Sequence, residues 1–145
     1  LVVLFKTFGE IHNPFRVVRA IIEDRKTAPF TTTKQLSGLI ERVDGWRKKG
    51  FHPATQYFMA LRLKVNRELE VVDQVLPKLM EKLNKNGRLA VITFHSLEDR
   101  IVKNLFRIYP ELGEPLRRKV THPTREEELA NPRSRSAKLR VFVRT

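Results

Sequence analysis

The sequence contains no cysteine, which excludes disulfide bonds, cysteine-ligated zinc and thiol nucleophiles together. Its apolar runs are far shorter than the roughly 18 residues that a membrane span needs, and its first residues lack the arrangement of a signal peptide. We therefore expect a soluble, cytoplasmic protein that has no membrane partner.

Glycine is also scarce, and the 6 glycines stand apart from one another. The sequence consequently has neither the G-x-G-x-x-G fingerprint nor the P-loop, the two glycine-rich turns that cradle phosphate groups. No pair of histidines has the helical spacing of metal ligands, and no G-x-S-x-G nucleophile elbow occurs. We predict no metal site and no cofactor-phosphate cradle within these residues.

Acidic residues are few beside the basic ones. The chain has 29 Lys and Arg against 16 Asp and Glu, a formal net charge of +13 and a pI near 10.6. Such an excess favours a polyanion, and above all a nucleic acid, as the partner, with a solvated basic surface as the alternative. The basic clusters that suit phosphate contacts are Arg47, Lys48, Lys49, Arg117, Arg118, Lys119, Arg133 and Arg135.

The first third of the chain has the periodicity of amphipathic helices. It opens with "LVVLFKTFGE" and no Met, which is typical of a helix interior, so we expect a piece of a longer protein. Thr32 and Gln35 have the spacing of a capping box and predict a helix start. Residues 1–44 thus indicate a helical lobe, and "DGWRKKGFHP" after it marks a boundary.

A long helical pattern follows, and Pro77 predicts an interruption within it. Its first part carries two neighbouring stripes. The predicted core stripe is Ala54, Phe58, Leu61, Val65 and Leu69. The neighbouring stripe is mostly polar and comprises Thr55, Met59, Arg62 and Asn66.

The segment "RLAVITF" at 88–94 predicts a strand, and its apolar residues on both faces are typical of a parallel sheet covered by helices. It runs directly into the helical pattern "SLEDRIVKNLFRIY", so the two form half of a parallel α/β unit. Further strands are predicted at "RRKVT" (117–121) and "KLRVFVR" (138–144).

His95 and Ser96 stand where the predicted strand meets its helix. In open α/β sheets ligands bind beyond the carboxyl ends of strands, so both are candidate site residues. The structural alternative is that Ser96 caps the helix with Asp99 as the capping-box acid, and that His95 is an ordinary half-buried histidine. Arg62 and Asn66, one helical turn apart, either meet one ligand together or belong to a solvated face.

The stretch "GRLAVITFHSLEDRIVKNLF" resembles the strand-plus-helix signature of the RsmH (MraW) family. These enzymes use S-adenosyl-L-methionine to methylate a cytosine amino nitrogen in small-subunit (16S) ribosomal RNA. Three more stretches agree in order and spacing, so the resemblance covers nearly the whole chain: "FGEIHNPFRVVRAIIEDR" with "PFTTTKQL", "HPATQYFMALRLKVNRELE", and "NPRSRSAKLR". One departure is Met59, where the family usually has glutamine.

The resemblance implies an α/β fold in two parts. Residues 51–145 would form the C-terminal part of a Rossmann-like methyltransferase core, and residues 1–50 part of an inserted helical lobe. The family's glycine-rich cofactor loop lies further towards the N-terminus, so no residue for S-adenosyl-L-methionine is carried over. We expect the isolated chain to be inactive, and an RNA-binding fragment without catalysis is the alternative function.

By the same resemblance, the catalytic candidates are His95, Ser96 and Asn66, which would orient the cytosine and help to relay a proton. The implied substrate and RNA contacts are His52, Thr55, Arg62, Arg100, Lys103, Arg133 and Arg135. A DNA-binding domain at 11–44 is a weaker alternative, because its stretch from Thr31 to Ser37 is nearly neutral. The expected partner is small-subunit ribosomal RNA or the small ribosomal subunit. An unpaired edge at "RLAVITF" also predicts association into a homodimer.

Overall fold

A computed structural model of the chain describes residues 1–45 and 52–145. The predicted phosphate contacts Arg47, Lys48 and Lys49 lie outside the described residues. The fold divides into two compact units, the N-terminal unit Leu1–Arg67 and the C-terminal unit Glu68–Thr145. A domain boundary near residue 50 stays a prediction. Among the described residues, no helix has the length and apolarity needed to cross a membrane.

The N-terminal unit is helical. Its elements are α1 (Val2–Gly9), α2 (Phe15–Thr27), α3 (Thr33–Asp44) and α4 (Thr55–Val65). The predicted capping box is confirmed at the start of α3: the hydroxyl of Thr32 accepts the backbone N–H of Gln35 at 3.3 Å, and Oε1 of Gln35 accepts the N–H of Thr32 at 3.0 Å. These two bonds satisfy donors that a helix start leaves unpaired.

The core of this unit centres on α4 and follows the predicted stripe in part: Ala54 is buried, and Phe58 and Leu61 are partly buried against the core. Tyr57 is buried, with its ring edge-on to Phe5 at 4.9 Å and its hydroxyl donating to Asp44 at 2.8 Å. Val65, placed in the core by the sequence, is 78% exposed, so that end of the stripe is wrong. The core instead includes a tyrosine whose hydroxyl is hydrogen-bonded. The periodicity of apolar residues does not predict the burial of such a side chain. The buried residues that pack together in this core are Phe5, Val17, Val18, Ile21, Leu39, Ile40, Ala54, Tyr57 and Ala60.

The interruption predicted at Pro77 is also wrong. Helix α4 ends at Val65, Arg67 adopts a left-handed conformation with φ 53°, and α5 (Glu68–Lys82) continues through Pro77. The helical pattern is therefore interrupted at the left-handed residue between α4 and α5, and the proline lies inside α5.

The C-terminal unit combines α5 and α6 (Ser96–Ile108) with a small sheet. The strands are β1 (Arg88–Thr93), β2 (Gly113–Pro115) and β3 (Lys138–Arg144), and they lie in the order β1-β3-β2. A short helix α7 (Arg125–Ala130) and a 3-10 turn (Pro132–Ser136) precede β3. The β1 and β3 predictions are confirmed in position.

The three described strands pair only antiparallel, so the parallel pairing predicted for β1 is not found among them. β1 and β2 both pair antiparallel with β3, with Arg88 opposite Val143 and Thr93 opposite Lys138. The strand predicted at 117–121 is reduced to one bridge between Thr121 and Leu139. The paired segment is β2 instead, which begins at Gly113 with φ 150°, where a Cβ would lie 2.1 Å from the carbonyl oxygen of Val143.

The two faces of the sheet differ in cover. The inner face packs on α5 and α6 around a core of Leu76, Met80, Val102, Leu105, Phe106 and Phe142. The outer face is apolar as well, because Ala90 and Ile92 lie opposite Val141 and Leu139, yet Ile92 is 59% exposed. β1 therefore has apolar residues on both faces, but in the described structure helices pack against only one of them.

We expect this open face, together with β1 at the end of the strand order, to make the chain self-associate. Light scattering over a range of protein concentrations measures this. Ile92→Lys places a charge on the open face and should shift the chain towards the monomer. A wild-type chain that stays monomeric throughout would contradict the expectation.

Candidate functional site

The turn between β1 and α6 is organised by His95. Its backbone is extended, and its Nδ1 accepts the N–H of Glu98 at 3.4 Å, which makes it the N-cap of α6. In return Oε2 of Glu98 accepts the N–H of Phe94 at 3.2 Å. The capping pair expected of Ser96 and Asp99 is therefore wrong by one residue, because the extended backbone continues through His95 and the helix starts after it.

The imidazole of His95 is largely buried, with 13% of its side chain exposed. Because Nδ1 accepts a hydrogen bond, the neutral ring carries its proton on Nε2. Nε2 lies 3.1 Å from Oε1 of Glu98, at an angle that does not make a hydrogen bond, and it has no other partner among the residues described. The turn thus places a proton-bearing nitrogen beside a carboxylate.

Glu98 is held in its charged form. The His95 side chain lowers the pKa of this carboxyl most, burial opposes that effect, and the N–H of Phe94 lowers the pKa further. The resulting carboxylate, next to an imidazole at the end of a strand, can accept hydrogen bonds from an amine. Sequence reasoning missed Glu98, although the three-residue spacing from His95 is that of a capping box with histidine at its head.

Ser96 is half-buried at the first position of α6, next to His95, and Arg100 lies exposed one turn further on. The structure therefore brings together two of the three predicted catalytic residues. The third, Asn66, follows α4 in the N-terminal unit, where its N–H donates to the carbonyl of Arg62 at 2.9 Å. Thr55, Arg62 and Asn66 are exposed, as the polar stripe predicted.

His52 has a structural role at the start of α4. Its Nδ1 accepts the N–H of Ala54 at 3.1 Å, and its Nε2 lies 3.9 Å from a carboxylate oxygen of Glu41. These contacts fix the backbone at the entry to the helix.

Arg133 and Arg135 are exposed on the turn Pro132–Ser136. The turn is held from within, because Oδ1 of Asn131 accepts the N–H of Arg133 and the buried hydroxyl of Ser134 donates to the carbonyl of Asn131 at 2.8 Å. A fixed backbone thus presents both guanidinium groups to solvent, as phosphate contacts require.

A bidentate ion pair links α6 to β3. Arg140 donates to both carboxylate oxygens of Asp99, at 2.6 and 2.9 Å, and the two side chains are only 12% and 13% exposed. The hydrogen bonds from Arg140 are the main reason that the pKa of Asp99 is lowered, and Lys138 and Lys103 lower it further. Asp99 therefore ties the helix that carries the His95 turn to the sheet.

Metal chemistry has no visible support in the part of the chain that is described. Over residues 1–45 and 52–145, no group of three or more His, Asp or Glu side chains is arranged to hold a metal ion.

Known proteins resemble this chain along most or all of its length. A sequence profile of the MraW methylase family matches residues 1–145. The chain is 63% identical, over 145 residues, to ribosomal RNA small subunit methyltransferase H of Bdellovibrio bacteriovorus, covering 100% of this chain and 44% of the relative. It is 47% identical over 137 residues to the protein of the same name from Coprothermobacter proteolyticus, covering 93% and 46%. The chain spans about half the length of the curated relatives it matches.

Proposed function

Because this chain belongs to the MraW methylase family, we propose that it supplies the substrate side of a methyltransferase that acts on small-subunit ribosomal RNA. The methyl group would pass from S-adenosyl-L-methionine to the exocyclic amine of a cytosine. The names of the relatives support the ribosomal RNA substrate, and the basic composition supports a polyanion.

The described residues do not fit S-adenosyl-L-methionine by themselves. No glycine-rich turn follows a described strand, and the depressions described on the two units are open to solvent and do not enclose a cofactor. We therefore assign no cofactor contact to this chain. When bound by the remainder of a full-length protein, the cofactor would supply the methyl group.

The chemistry demands groups that handle a poorly nucleophilic amine. The lone pair of the cytosine amine is delocalised into the ring, so the base must leave its stack and be held in line with the methyl donor. Charge develops on the nitrogen as the new bond forms, and nearby acceptors stabilise it. The nitrogen then loses a proton.

The His95 turn is the observation that carries the proposal. The imidazole Nε2 and the Glu98 carboxylate lie 3.1 Å apart at the end of β1. With the ring proton on Nε2, the carboxylate is the group of this pair that can take up the proton from the amine, and the adjacent imidazole N–H would orient and stabilise that carboxylate. Ser96, next in the chain, would orient the base through its hydroxyl. By family resemblance, Asn66 of the N-terminal unit is a further proposed substrate contact.

The phosphate and substrate contacts would come from exposed side chains. Arg100 and Lys103 continue along α6 from the His95 turn, and Arg133 and Arg135 lie on the turn before β3. In the N-terminal unit the proposed contacts are His52, Thr55 and Arg62. An RNA-binding fragment without catalysis remains the second candidate, favoured by the absence of a cofactor cradle.

The test is a chimera in which this chain replaces the 145 matching residues of the Bdellovibrio relative. It is incubated with methyl-labelled S-adenosyl-L-methionine and small ribosomal subunits that lack the modification. We expect label in the RNA with the chimera and none with the isolated chain. A folded chimera that binds RNA but transfers no methyl group, while the intact relative does, would refute the methyltransferase function. RNA binding would then be the only function retained.

A further inference from the structure

A basic groove lies beside the C-terminal half of α6. It consists of two adjoining depressions, the larger with a volume of about 560 Å³, which share Arg107 and Arg118 in their walls. Lys103 and Arg117 line the smaller one. All four side chains are exposed and belong to the C-terminal unit.

The positive charge of this basic groove is poorly neutralised. Glu114 is the one acid among the residues that line it, and Arg140, which lies in its wall, is already paired with Asp99. No residue in 1–45 or 52–145 forms an ion pair or hydrogen bond with the side chain of Arg107, Arg117 or Arg118.

The arrangement is unfavourable without a ligand. Lys103 and Arg107 stand one turn apart on α6, where like charges repel each other. Arg117 and Arg118, which are adjacent in the chain, add two further cations to the same depression. A bound polyanion would relieve this repulsion.

We infer that the basic groove binds the phosphate backbone of RNA at a distance from the reacting base. Guanidinium groups match phosphate oxygens with two parallel hydrogen bonds, and the open shape admits a continuous chain. Arg107 lies 12 residues beyond His95, which is about 18 Å along the helix axis. The groove would therefore hold nucleotides some way along the strand from the base at the His95 turn.

The inference rests on the proposed function for the identity of the polyanion. Its own contribution is a second, sequence-independent contact that none of the family motifs contains, because Arg107, Arg117 and Arg118 lie outside them. Such a contact would set affinity and register, whereas the His95 turn would act on the base.

The experiment measures binding of the 145-residue chain to a fluorescein-labelled single-stranded RNA of mixed sequence, by anisotropy at several salt concentrations. The test variant is Arg107→Gln/Arg117→Gln/Arg118→Gln. The matched control, Lys78→Gln/Lys82→Gln/Lys85→Gln, removes the same charge from exposed positions of the same unit outside the groove. Thermal unfolding verifies that both variants keep the fold.

We expect the groove variant to bind at least about tenfold more weakly, with the slope of log affinity against log salt smaller in magnitude by about 2. The control should lose much less. Equal losses in the two variants, or no loss in the groove variant, would overturn the inference.

The outcome is separable from that of the proposed function. Groove-dependent RNA binding by a chain whose chimera transfers no methyl group would refute the methyltransferase function and retain the basic groove. Methyl transfer by the chimera together with unchanged RNA binding by the groove variant would retain the methyltransferase function and refute the role of the basic groove.

Discussion

Alanine in place of His95 is expected to lower the turnover of the chimera by about 100- to 10,000-fold, the range that positioned acid–base groups contribute. The affinity for RNA should change little, because the imidazole contributes no phosphate contact. Measured in single-turnover methylation and in RNA binding, the variant should separate these two quantities. Equal turnover in the wild-type and alanine chimeras would remove His95 from the mechanism.

The control for this prediction separates the imidazole from the helix cap. Loss of the cap alone costs about 1 kcal/mol of stability, and asparagine is among the best N-caps. His95→Asn should therefore keep the hydrogen bond to the N–H of Glu98 and much of the stability. We expect its turnover to be as low as that of the alanine variant. Recovery of turnover by asparagine would show that His95 acts by capping α6 alone.

The Asp99–Arg140 pair should give the largest stability effect. Asp99→Asn removes the anion from a bidentate pair that is nearly nine-tenths buried and leaves Arg140 uncompensated. We expect the free energy of unfolding to fall by about 3 kcal/mol, as measured by urea denaturation at neutral pH. Because the pair joins α6 to β3, the substitution should also weaken the spectroscopic signal that reports tertiary packing of the sheet.

The pH dependence of that effect has a definite sign. The pKa of Asp99 is depressed below its ordinary value of 3.8, mainly by the hydrogen bonds from Arg140. The stabilisation is thus complete above the unfolded-state pKa and is lost as the pH falls through the folded-state pKa. The difference between wild type and Asp99→Asn should therefore shrink in strong acid. Glu98, whose pKa is also lowered, adds acid sensitivity of the same sign to both proteins.

The exposed pair Arg125–Glu128 provides the comparison. Its guanidinium side chain is 77% exposed, so Arg125→Met should change the free energy of unfolding by less than about 1 kcal/mol. Similar losses in Asp99→Asn and Arg125→Met would contradict the assigned role of the buried pair.

Local features of this chain were predictable because local chemistry determines them. The capping box of Thr32 and Gln35 is set by four residues, and β3 is set by a short alternating run. The periodicity of apolar residues gave an incomplete prediction where one side chain has both an apolar ring and a polar hydroxyl. Tyr57 buries its ring while its hydroxyl donates to Asp44, so the core of α4 includes a residue outside the stripe that the sequence predicted.

Pairing between distant segments was not predictable in the same way. The apolar character of β1 indicates burial on two faces and says nothing of strand direction, which depends on where β3 returns in the fold. Asp99 and Arg140 are 41 residues apart, and no local pattern joins them.

Part of the candidate site could be predicted from the sequence. Sequence reasoning selected His95 and Ser96 from the end of a strand, but it considered only Ser96, with Asp99, as a possible cap and so overlooked Glu98. The error arose because serine is a far commoner N-cap than histidine.

The most direct test of the account identifies the product. RNA that has been incubated with the chimera and deuterium-methyl S-adenosyl-L-methionine is digested to nucleosides and analysed by mass spectrometry. The account predicts the labelled methyl group on the exocyclic amine of cytidine. Label confined to another nucleoside, or no label where the intact Bdellovibrio relative gives one, would contradict it.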